Sequence, residues 1–239
     1  MIVSAAICPS PPLLARELTG QAGCAGQAGP LPELREACAA ALAALLATAP
    51  DVVVVTGPAG LTADFGHHGR LDLAAYAPAL STGGGEPPLP LSLGIGARLL
   101  DEASYAGPRS FRGIGVSAPA EACLRLGRQI AASARRVALL TVGDGSARRS
   151  VSAPGYLDER AAPFDESVER AVRDGEPAAL AALDPELAAE LMADGRAAWQ
   201  VLAGALTAEG ATPGGLRGDV LYAGAPLGVG YLVAVLTVR

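Results

Sequence analysis

Residues 143–149, Gly143-Asp144-Gly145-Ser146-Ala147-Arg148-Arg149, put an acid, a hydroxyl and two guanidinium groups on backbone that glycine makes permissive. The N–H groups of Gly143, Asp144, Gly145 and Ser146, with the Arg148 side chain and the hydroxyl of Ser10, could cradle a carboxylate or phosphate. Asp144 suits an acceptor or weak metal ligand in such a site. It equally suits an Asx-type bond within its own loop, and the two glycines alone would also make a plain tight turn. Tyr156, Asp158, Glu159 and Arg160 follow closely enough to form a wall of the site or a solvated approach to the next helix.

Other chemistry is restricted by what the chain lacks. All 18 basic side chains are arginine, so no lysine is present to form a Schiff base or to serve a P-loop. No asparagine is present to accept N-glycans. The two histidines, His67 and His68, are adjacent, and neighbours in extended backbone point to opposite faces, which limits metal chemistry severely. Cys8, Cys24, Cys38 and Cys123 show no C-x-x-C spacing and read as reduced, with Cys38 and Cys123 as small apolar residues of helix faces.

The loop is positioned by Val137–Val142, an aliphatic run typical of a strand buried on both faces. Open α/β sheets place ligands at the carboxyl ends of such strands. Ile2–Cys8 reads as a first strand, stopped by Pro9, Pro11 and Pro12. Residues 20–30 read as a glycine- and alanine-rich loop. An amphipathic helix follows, with Leu31, Leu34, Cys38, Leu42 and Leu45 on one stripe. Asp51–Val55 is a second buried strand.

Residues 59–92, with both histidines and the Gly83–Gly85 run, predict loop with one short strand near Leu71. A helix over 93–103, a strand over 111–116 and a helix over 119–134 come next. A helix opens near Pro163–Asp165. Another opens at Asp184-Pro185-Glu186, where an aspartate cap precedes proline at the first helical position. A helix around Trp199 leads to a closing strand pair, 219–222 and 231–238. Strands alternating with helices predict one three-layer α/β domain over residues 1–239.

A composition of 51% hydrophobic and 18% charged residues marks a folded chain, and a net charge of -6 argues against nucleic acid or an anionic membrane as partner. The N-terminus lacks the basic region of a signal peptide, and the run Val229–Val238 is too short to span a bilayer as a helix. A cytoplasmic location is expected.

Three stretches resemble the class III extradiol ring-cleavage dioxygenases, the LigB-like group to which the Memo proteins are also similar. Ala6-Ile7-Cys8-Pro9-Ser10-Pro11-Pro12-Leu13-Leu14 is similar to that family's opening Pro-His-Pro-Pro segment. Val142–Arg149 is similar to its Gly-Asp-Leu-Ser-His-Arg, followed by Phe164-Asp165 opening a helix. Ala225-Pro226-Leu227-Gly228-Val229-Gly230-Tyr231 is similar to its Ala-Pro-aromatic-Gly-Val-Gly. The resemblance implies a phosphorylase/hydrolase-like α/β/α fold: a central mixed sheet with helices on both faces.

It also implies iron(II) held by two histidines and a carboxylate, with a further histidine as acid and base. Carried over, the first ligand falls on Ser10, the second near Ala59 and the acid-base histidine on Ala147. The carboxylate falls near Tyr222, Ala223 and Gly224. The expected cofactor is therefore none. The expected function is a dioxygenase-like protein with a degenerate iron site, binding a small polar or anionic molecule through Ser10, Gly143, Asp144, Gly145, Ser146 and Arg148. Assembly with further copies in a homo-oligomer is expected. Two alternatives stand beside it: a metal-dependent dioxygenase or hydrolase using Asp64, His67 or His68, and Asp144; and a structural component of a protein complex.

Overall fold

Residues 1–19, 31–78, 87–208 and 215–238 are described by the computed structural model. The loop expected over 20–30, with Cys24, and the Gly83–Gly85 run lie outside the described residues. The strands are β1 (Ile2–Cys8), β2 (Val52–Ala59), β3 (Ala63–Asp64), β4 (Arg70–Leu71), β5 (Pro88–Leu89), β6 (Arg109–Gly115), β7 (Val137–Val142), β8 (Leu216–Gly224) and β9 (Tyr231–Val238). The helices are α1 (Arg16–Thr19), α2 (Leu31–Ala47), α3 (Leu91–Glu102), α4 (Ala120–Ala131), α5 (Ala161–Arg173), α6 (Pro177–Ala181), α7 (Pro185–Glu190) and α8 (Arg196–Leu206).

Seven strands form one mixed sheet in the order β3-β6-β2-β7-β1-β9-β8. The inner four, β6, β2, β7 and β1, run parallel, whereas β3, β9 and β8 are each antiparallel to a neighbour. All six residues of β7 are buried, because both of its faces are covered. Val137 and Leu139 join Ile130, Phe164, Val168 and Trp199 under α4, α5 and α8. Ala138, Leu140 and Val142 join Leu34, Leu42, Leu93 and Leu100 under α2 and α3. The period-two alternation of strand side chains divides the core into two layers, one on each side of the sheet. The fold is α/β with a mixed sheet.

Local signals act as their chemistry requires. The Asp184 carboxylate accepts from the N–H groups of Glu186 at 2.9 Å and Leu187 at 3.4 Å, so the expected cap starts α7. The helix after Pro119 ends at Ala131, short of residue 134, where Ser133 Oγ donates to the Ile130 carbonyl at 2.7 Å. Between residues 59 and 92 three two-residue strands form where one was expected, and β4 pairs with β5 in a small separate sheet. Cys8, Cys38 and Cys123 are buried free thiols. Among the described residues no helix is long and apolar enough to cross a membrane.

Candidate functional site

Adjacency of β2, β7 and β1 in the sheet brings their carboxyl ends to one edge, so Ala59, Gly143 and Ser10 share that edge. The chain leaves β7 at Gly143, whose N–H donates to the Cys8 carbonyl at 3.0 Å. Only glycine fits at Gly143, because a Cβ would stand 2.7 Å from the Cα of Gly195 at the start of α8. This close approach locks the loop to the segment before α8. Gly195 N–H donates to the Asp144 carbonyl, and Asp144 N–H donates to the Asp194 carboxylate, both at 2.9 Å.

The Asp144 side chain turns back to β1 and accepts the Ser10 N–H at 2.7 Å. Burial, then the neighbouring Asp194 carboxylate, pushes its pKa up to about 8, although the bond from Ser10 opposes the shift. Burial likewise raises Asp194, and burial followed by the charge of Asp144 raises the Tyr231 phenol. A pair of carboxyls that retains a proton at neutral pH, beside a buried phenol, can donate as well as accept hydrogen bonds.

The second half of the loop faces α5. Ser146 N–H donates to Asp165 Oδ1 at 2.8 Å, and Arg149 Nη1 donates to Asp165 Oδ2 at 2.7 Å. Gly145 N–H donates to the Gly230 carbonyl at 2.7 Å, and Gly230 N–H to the Ser146 carbonyl at 2.8 Å. Burial raises the Asp165 carboxyl despite the opposing Arg149 charge. A cavity of about 160 Å³ opens here, lined by Arg149, Asp165, Glu166, Trp199, Gly230 and Tyr231 among others. Trp199 Nε1 is buried without a hydrogen-bond partner.

Two expectations change. The four loop N–H groups expected to form an anion cradle are all taken: Gly143 by Cys8, Asp144 by Asp194, Gly145 by Gly230 and Ser146 by Asp165. The chain's own carboxylates hold two of these four donors, and none is left for an outside anion. Ser146 is also committed by its side chain, which donates to the Leu191 carbonyl at 2.8 Å. Arg148 turns away from the cavity, donating through Nη1 to the Glu190 carbonyl at 3.0 Å and lying 3.8 Å from Asp158. Arg149 is the arginine at the cavity.

The alternative metal set is dispersed. Asp64 on β3 pairs with Arg112, and His67 and His68 are exposed, with His67 Nδ1 3.0 Å from the Arg109 carbonyl oxygen. Three lateral strand steps separate β3 from β7, roughly 14 Å at ordinary strand spacing. Among the described residues no group of three His, Cys, Asp or Glu side chains is arranged to hold a metal ion. Asp194 carries no readable signal in the sequence beyond an acid before Gly195, and Asp165 reads there only as a helix opener.

No family model and no curated protein matches the sequence. Among solved structures, the chain is similar to the uncharacterized protein JW3007 from Escherichia coli K12, at a TM-score of 0.49 and 12% identity, over 98% of this chain and 99% of that one.

Proposed function

We propose that the chain is a LigB-like, extradiol-dioxygenase-related protein that works in the cytoplasm as a homo-oligomer and binds a small polar molecule without iron. The observation that carries the reading is the part-buried Asp144–Asp194 carboxyl pair at the carboxyl edge of the sheet, beside Ser10 and Tyr231. Perturbed carboxyls at such an edge are a usual mark of a ligand site. Iron(II) in the related enzymes needs imidazole ligands, and Ser10, Ala59 and Ala147 supply none, so the donor set does not fit the metal. With the loop donors saturated, a neutral hydrogen-bonding ligand suits the site better than an anion.

Elemental analysis after chelator-free purification, repeated after anaerobic iron(II) loading, tests this. Iron well below one equivalent per chain is expected in both samples. One tightly held iron per chain, with ring cleavage of catechol, would overturn the reading.

A further inference from the structure

We infer that β8 is a self-association edge, at which two copies of the chain pair antiparallel about a two-fold axis through Gly218. Arg217 of each copy then stands opposite Asp219 of the other. The inference assigns a surface to the homo-oligomer and does not depend on what the cleft binds.

The two ends of the sheet differ. β3 closes one end with two residues, whereas β8 presents nine at the other, against about five or six in an ordinary strand. Among the described residues, no residue of β8 makes a backbone hydrogen bond apart from its pairing with β9. Its outer row of N–H and C=O groups is therefore a template for another strand.

Side chains select both the partner and the register. Arg217 and Asp219 are exposed, lie on one face at a separation of two, and pair with each other at 2.9 Å. An axis through Gly218 sets opposite charges across the junction twice. Moving the axis to Arg217 or Asp219 sets like charges against each other. The β8–β9 register shifts between Val220 and Tyr222, so regular pairing geometry runs from Leu216 to Val220, a window centred on Gly218.

The flanking helices agree. A Cβ at Gly218 would run into the Val172 carbonyl oxygen of α5, which closes that face. On the opposite face α2 packs against β8 and β9.

Sedimentation velocity of the full chain over a dilution series tests the inference. The wild type is expected to sediment as a dimer. Arg217→Asp, or independently Asp219→Arg, should weaken the dimer about tenfold or more by creating two like-charge contacts. The double exchange Arg217→Asp/Asp219→Arg should restore it. A wild type that stays monomeric, single variants that dimerise as the wild type does, or a double exchange no tighter than the single variants while circular dichroism stays native would each overturn it. Iron content, which decides the cleft reading, is independent of every one of these outcomes.

Discussion

Asp144 sits where solvation and hydrogen bonding pull in opposite directions, and its protonation sets a pH dependence for the whole chain. Its folded pKa, about 8, lies above the ~3.9 of an unfolded aspartate. Its contribution to stability is therefore fully present below about pH 4 and is lost as pH rises towards 8. Asp194 and Asp165 are shifted in the same direction and add to the slope. The melting temperature should fall between about pH 5 and pH 8, and Asp144→Asn should flatten much of that fall; an unchanged slope in the variant would remove Asp144 as its source. At the cavity, Trp199 is the single tryptophan and serves as the reporter. Titrating metal-free protein with catechol should change its fluorescence saturably. Arg149→Ala should weaken that response about tenfold, and Arg148→Ala, whose guanidinium faces Glu190, should leave it intact. The loop stands out in the sequence as a candidate site, but which arginine lines the cavity is not legible there. That choice depends on Asp165 and Glu190, which reach the loop only through tertiary packing.

Between elements, a tight constraint lies where α4 crosses α8. A Cβ at Gly127 would run into the Val201 carbonyl oxygen, and one at Gly204 into the Leu124 carbonyl oxygen, so the two backbones touch through paired glycines. Backbone cannot move aside as a flexible side chain can. Gly127→Ala and Gly204→Ala should each cost about 3 kcal/mol in denaturant unfolding. Beside this crossing the Arg196 guanidinium, 2% exposed, donates to the Ala118 carbonyl at 2.7 Å and to Gln200 Oε1 at 2.9 Å. Arg196→Ala should cost about 2–3 kcal/mol, because buried acceptors would lose their donor. Long apolar runs and capped helices can be read from the chain, since their signals are local: β7 and α7 are where the sequence places them. The Gly127–Gly204 contact cannot, because helical period gives the inward face of a helix but not which other helix that face meets.

At the scale of the molecule, the alternation of strands and helices is enough to predict an α/β sheet, yet it does not give the strand order. Consecutive strands are seldom neighbours here, and the antiparallel edge pair β9-β8 joins a parallel centre. That order decides which termini of strands meet, and hence that Ser10, Asp144 and Tyr231 form one group although they lie far apart in the chain. It also leaves β8 as the long edge on which self-association rests.

The position of β1 between β7 and β9 has a kinetic consequence. The first strand is central in the sheet, yet both of its partners come late: Ile2 lies against Val137, and Ala5 against Leu236. Such pairings give high contact order, and closing loops of that length must precede the contacts that reward it. During synthesis Ile2–Cys8 precedes both partners: one edge waits for residues 137–142 and the other for residues 234–237. Refolding should accordingly be slow for a chain of this size, and hydrogen exchange during refolding should protect β2 and β6 before β1.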